Sequence, residues 1–207
     1  MKVGKLEVNQ EKVLKWVKSI PFLGAVFLVA NFYANSGVLS KRKQVATLSN
    51  WFKRIFLSFI FTLVFSIGLV VFFRDGLFHP NHNPTGLDAP SVALSIFPSI
   101  LGFGIGVFVV IFALPNQFME KVNSMKAKGG SKTFGASLMV VDMAYPLMVY
   151  AVVLLGEFLI KLFQISFLTQ IISVFLLLYG MLMTFDLISL IFMTAYTLLA
   201  IQASKTP

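Results

Sequence analysis

The sequence contains no cysteine, and only 8 of its 207 residues are Asp or Glu. Without cysteine there are no disulfides, thiolate metal sites or cysteine nucleophiles, although the compartment stays open. Charge of either sign is scarce. Charged residues make up 12% of the chain, against about 25% in a soluble domain whose surface must face water. Soluble globular, fibrous and disulfide-stapled secreted classes are thereby excluded, and much of the surface must face lipid. Catalytic signatures are missing as well: no HExxH, GxSxG or phosphate loop occurs. His79 and His82 have HxxH spacing, but Pro80 lies between them and no Glu or Cys adjoins, which argues against zinc. No enzyme, cofactor or metal is expected. Nor is a secretory signal peptide, because the first apolar run starts near Pro21, behind a charged stretch, without a convincing cleavage site.

What is present is apolar. Hydrophobic residues make up 57% of the chain, with 23 Phe, and the mean hydropathy is +0.87. A spanning helix needs about 20 mostly apolar residues to cover roughly 30 Å of hydrocarbon. Four stretches qualify: Ile55 to Phe73, Ser91 to Leu114, Phe134 to Ile160 and Phe167 to Ile201. The last would measure roughly 52 Å as a straight helix, so it tilts, bends or projects beyond the bilayer. The expected fold is therefore an all-α membrane protein: a four-helix transmembrane bundle over 55–201 with a short tail at 202–207. Ahead of it, 1–54 is a cytoplasmic or interfacial segment. Within that segment, 5–20 reads as a basic amphipathic helix carrying Trp16, suited to a membrane surface. The apolar core of Pro21 to Ala34 suits an interfacial or re-entrant helix over 21–35 better than a span. A fifth crossing stays open as the alternative.

Basic residues set the orientation. The net charge is +9, from 17 Lys and Arg. With four spans, ten of these cations fall in residues 1–54, four in the 116–133 loop and one in the tail, leaving Arg74 and Lys161 opposite. Fifteen against two is a strong positive-inside bias, which predicts both termini in the cytoplasm. The cytoplasmic basic surface would comprise Lys41, Arg42, Lys43, Lys53, Arg54, Lys126, Lys128 and Lys132. The orientation explains this charge on its own, so no direct nucleic-acid partner is expected. The lipid bilayer is the first partner and a soluble cytoplasmic protein the second; the loop carrying Lys126, Lys128 and Lys132 reads first as an ordinary cytoplasmic connection, with a docking site for such a protein as the alternative.

Two small-residue stripes point to close helix contacts, which dominate association where lipid is as apolar as leucine. In the second span Ser95, Ser99, Gly102 and Gly106 share a face, and Gly102 to Gly106 satisfies GxxxG. In the first span Ser58, Thr62 and Ser66 form a parallel stripe. Each could pack within one subunit or between copies of a homo-oligomer. Pro98 and Pro146 predict kinks in the second and third spans. Three acids lie within the spans. Glu157 can pair with Lys161 one turn on. Asp142 and Asp186 should face protein or water, near Tyr145, Tyr179 or Thr184. They are candidates for a proton relay or ion path, with a buried hydrogen-bonded structural role as the alternative.

The run Ser95-Ile-Phe-Pro-Ser-Ile-Leu-Gly-Phe103, continuing as Gly-Ile-Gly, resembles the second-span motif of small bacterial membrane proteins. In size, span number and charge bias the chain also resembles the membrane subunits of anti-phage defence systems, such as the Kiwa membrane subunit. That resemblance implies an inner-membrane oligomer that senses infection-linked membrane disturbance and works with a soluble cytoplasmic partner. It supplies no catalytic residues. The function expected is that of a non-enzymatic sensor or scaffold, with an oligomeric pore-forming or membrane-disrupting effector as the alternative.

Overall fold

The computed structural model describes residues 16–17, 19–37, 44–72, 88–113, 136–163 and 166–203. Among these the protein is helical with no strand. A short helix α1 (Leu23–Ala34) is followed by four long ones: α2 (Leu48–Phe72), α3 (Ala89–Phe112), α4 (Ala136–Leu162) and α5 (Phe167–Ala203). The four long helices are each long and apolar enough to cross a membrane, so this is a multi-pass, all-α membrane protein. Antiparallel succession brings the start of α2 and the end of α5 to one end of the bundle. The starts of α3 and α5 lie at the other. Most of the amphipathic segment 5–20, the cations at 41–43, 126, 128 and 132, and both histidines lie outside the described residues.

The helices begin and continue for local reasons. Asp88 caps α3: its carboxylate accepts from the Ser91 backbone N–H at 3.3 Å, and Pro90 sits in the first turn, where its missing N–H costs nothing. Both α3 and α4 run uninterrupted through Pro98 and Pro146. In α2 the turns open between Phe52 and Phe56 into a π-helical segment, flanked by α-helix at Leu48–Trp51 and Leu57–Phe72. Such a bulge inserts one extra residue into the winding and re-aims the side chains around it. The helix α5 keeps its regular winding for all 37 residues.

The core runs between α4 and α5. Of the most apolar stretch of each helix, 44% is buried in α5 and 39% in α4, but only 22% in α2 and 17% in α3. The inner pair supplies the packed centre, and α2 and α3 turn most of their surface outward. Helix α5 packs against α2, α3 and α4, while α3 also packs on α4. Phe97 of α3 is fully buried; its ring stacks on Tyr150 of α4 at 5.6 Å and points at Gly180 of α5. A Cβ built on Gly180 would lie 2.5 Å from Cζ of that ring, so glycine is what admits it. Gly104 likewise admits the side chain of Leu147.

The structure separates the two small-residue stripes. Thr62 and Ser66 are buried, and α2 packs on α5. Their hydroxyls bond to the Ser58 and Thr62 carbonyls one turn back, at 2.8 and 2.7 Å, leaving a smooth face for packing. Ser95, Ser99, Gly102 and Gly106 are all exposed, and a Cβ on either glycine would meet nothing within 4 Å. The first stripe is used within the subunit and the second is not.

Helix α1 is the remaining piece. Twelve residues rise about 18 Å, short of the roughly 30 Å needed to cross. It lies against α4 and the first turns of α2. Its end is a Schellman motif: Gly37 N–H donates to the Phe32 carbonyl at 3.1 Å and Ser36 N–H to that of Tyr33 at 3.0 Å. Ser36 and Gly37 both take positive φ (56° and 62°), and this reverses the chain.

Candidate functional site

The largest concentration of polar contacts among the described residues gathers where α1 ends, at the end of the bundle where α2 starts and α5 finishes. Asn31 is 1% exposed and acts as a clamp. Its side-chain carbonyl accepts from the Ala46 N–H at 2.7 Å, and its amide donates to the Gln44 carbonyl at 3.1 Å. Asn35 donates to the same carbonyl at 3.2 Å. Residues 44–46 thus form a pseudo-strap across the end of α1. A buried backbone N–H needs such a partner, because leaving it unpaired costs about 1–3 kcal/mol.

Arg54 closes this arrangement from α2. Its guanidinium donates to the Tyr33 carbonyl at 2.7 Å and to Asp142 Oδ1 on α4 at 3.3 Å, and it lies 4.8 Å from the centre of the Tyr33 ring. One cation therefore satisfies a C-terminal carbonyl of α1, neutralises an acid inside the bundle and covers an aromatic face. Arg54 falls within the π-helical segment of α2. Tyr33 in turn stacks on Tyr145 at 4.2 Å with the rings nearly parallel, and the Tyr145 hydroxyl bonds that of Tyr179 on α5 at 2.8 Å. Phe59 and Phe175 pack edge-on and stacked around Tyr179. The chain of contacts Arg54–Tyr33–Tyr145–Tyr179 links all of α1, α2, α4 and α5.

Sequence expectations meet this site in different ways. Tyr145 and Tyr179 are joined, with Asp142 one turn from Tyr145 on the same helix. Asp142 bonds to neither tyrosine; its partner is Arg54. Arg54, expected on the cytoplasmic basic surface, is 29% exposed and donates to the Asp142 carboxylate and the Tyr33 carbonyl. Lys53 beside it is exposed. Asp186 does not join the cluster through any hydrogen bond or ion pair among the described residues, and it is exposed on α5. Thr184 pairs with Tyr150, whose hydroxyl donates to it at 3.1 Å. Tyr33, Asn31 and Tyr150 escaped the sequence reading. Two asparagines four residues apart in a short apolar helix, Asn31 and Asn35, were the available signal.

A second polar group occupies the opposite end. Glu157 is fully buried and accepts a 2.6 Å hydrogen bond from Ser173 of α5 through Oε2, while Oε1 has no partner among the described residues. The expected Glu157–Lys161 pair is not formed. Glu157 points between helices, whereas exposed Lys161 reaches across to α3 and donates to the Ser91 hydroxyl at 2.7 Å. That hydroxyl is bonded in turn to the capping Asp88. The helix surface separates the two side chains although sequence spacing would allow them to meet.

No set of three or more His, Cys, Asp or Glu that could hold a metal occurs among the described residues. The Arg54 cluster is a mechanical joint: it fixes α1 and residues 44–47 onto the membrane bundle with partly buried, charge-assisted bonds. No protein-family model matches the chain, and no curated protein or solved structure matches it either.

Proposed function

We propose that this is a non-enzymatic bacterial inner-membrane protein with both termini cytoplasmic, assembling into homo-oligomers and serving as sensor or scaffold for a soluble cytoplasmic partner. Anti-phage defence is the setting that its resemblance in size, span number and charge bias to membrane subunits of such systems suggests. The observation that carries the assembly is the outward stripe on α3. Ser95, Ser99, Gly102 and Gly106 leave a flat, open face where a second helix backbone can approach closely. The skewed cation distribution supports the orientation. The joint at Arg54 supports a sensing role, since it couples a short helix at the membrane end to three of the spans.

Replacing both Gly102 and Gly106 with leucine tests this reading. Cross-linking in native membranes should show the oligomer of the unaltered protein and its loss in the variant. The detergent-solubilised monomer should not be destabilised, because neither new Cβ meets a neighbour and leucine is a better helix former than glycine by about 0.5–1 kcal/mol at each position. An unchanged cross-linking pattern would remove α3 as the interface.

A pore-forming effector is the second reading, favoured by Asp186 standing exposed within the apolar helix α5. A carboxylate facing lipid costs about 2.5–3.5 kcal/mol on insertion scales, a cost that an aqueous pore lined by several copies would relieve. Liposomes separate the two. The scaffold predicts tight vesicles and co-purification of a soluble protein; ion leakage without a partner, abolished by Asp186→Asn, would establish the pore instead.

A further inference from the structure

Helix α2 carries a shallow groove of about 430 Å³ at its first turns, lined by Leu48, Ser49, Phe52, Lys53 and Phe56. We propose that this groove holds one anionic phospholipid, its headgroup phosphate against Lys53 and Ser49 and an acyl chain along the outward face of α2.

Three observations select this occupant. The first is charge. Lys53 is exposed and makes no hydrogen bond or ion pair among the described residues, whereas neighbouring Arg54 is engaged with Asp142 and Tyr33. At this level of the bundle the outward positive charge of the described residues therefore rests on Lys53. The second is position. Ser49 and Lys53 lie one turn apart on the same face, beside Trp51, at the start of the span, where headgroups lie. An ammonium and a hydroxyl so placed offer a phosphate several donors at once.

The third is the path of the tail. Leu48, Phe52 and Phe56 wall the groove at 83%, 52% and 41% exposure. The same face continues toward the bilayer centre through Ile60 at 46% and Val64 at 64%. From Phe56 to Val64 is about 12 Å of apolar surface at 1.5 Å per residue. A soluble phosphate would use only the rim; a phospholipid uses the rim and the wall together. The site is independent of whether the protein assembles into oligomers.

Native mass spectrometry of the detergent-purified full chain tests the proposal, with phosphatidylglycerol and phosphatidylcholine as probes. One phosphatidylglycerol should bind about fivefold more tightly than phosphatidylcholine, the effect of roughly one cation near a lipid surface. Lys53→Gln should abolish that difference, Lys53→Arg should retain it, and Lys161→Gln at the other end of the bundle should leave it unchanged. Millimolar inorganic phosphate should not displace the lipid. Equal binding of the two lipids, an undiminished preference in Lys53→Gln, or displacement by inorganic phosphate would each overturn the assignment.

Discussion

Replacing Arg54 with alanine is expected to destabilise the protein by about 3 kcal/mol. Removing one partner of a buried ion pair typically costs about 3–5 kcal/mol, because it strands the other charge. The side chains of Arg54 and Asp142 are 29% and 23% exposed, which places this pair at the low end. The loss is wider than one ion pair, however. The Tyr33 carbonyl loses the shorter of its two donors, keeping the Ser36 N–H, and the Tyr33 ring loses its cation. Asp142→Asn should cost less, about 1 kcal/mol, since an amide oxygen can still accept from the guanidinium. Combining the two substitutions should recover part of the sum, because Arg54→Ala no longer leaves a charge behind in an Asp142→Asn background.

Denaturation in detergent measures these differences, and hydrogen exchange locates them. Amides of 23–37 should exchange faster in Arg54→Ala while those of the α4–α5 core change little, since Arg54 bonds α1 at its C-terminal turn and reaches the core only through Asp142. A loss below about 0.5 kcal/mol with unaltered exchange would show that the joint does not hold α1. The same Asp142→Asn protein bears on the relay idea. If it keeps assembly and any measured activity, Asp142 is a structural partner of Arg54 and no proton path runs through it.

Gly180→Ala is expected to cost about 2 kcal/mol, more than any other methyl-sized change that the described packing offers. The added carbon would stand 2.5 Å from Phe97 Cζ and 3.0 Å from both Cε atoms. Phe97 is fully buried and stacked on Tyr150, so its ring cannot swing aside without disturbing α4. Overpacking of this kind costs about 1–3 kcal/mol even after relaxation. A smaller residue facing the new methyl should relieve it, so Phe97→Leu should be less harmful in the Gly180→Ala background than alone. Gly102→Ala provides the contrast: its Cβ meets open space, and alanine is the better helix former by about 1 kcal/mol. Equal effects at positions 180 and 102, measured by unfolding in detergent, would contradict the packing described.

Much of the fold was legible because spanning a bilayer leaves a coarse, length-based signal. Four apolar runs predict four helices, and the helices lie at those runs, with shifts at their ends. The first begins at Leu48 instead of Ile55, since Lys53 and Arg54 interrupt the apolar run without interrupting the helix. Pro98 and Pro146 each remove a donor, and both helices continue past them. The joint was not legible, for a different reason. Its members sit at positions 31, 33, 54, 142, 145 and 179, on four helices, and no spacing rule connects them. Arg54 in particular reads as one more cation in a basic stretch, and only the inward acceptors distinguish it from Lys53.

The two small-residue stripes make the same division. Their spacing by itself determined that each runs along one helix face, because 3.6 residues per turn permits nothing else. Which stripe packs inside was decided by tertiary structure: α2 turns Thr62 and Ser66 toward α5, whereas α3 meets its neighbours through Phe97 and Gly104 and leaves Gly102 and Gly106 open. The acids divide likewise. Composition and periodicity determined that Asp142, Glu157 and Asp186 lie within apolar helices. Only the packing gave Asp142 a guanidinium, buried Glu157 against Ser173 and left Asp186 outward. Local sequence sets the winding of each helix and hence the direction of a side chain relative to its own axis. The rotation of one helix against another depends on large side chains such as Phe97 finding small ones such as Gly180, residues far apart in the chain, and that fit exists only once the helices have met.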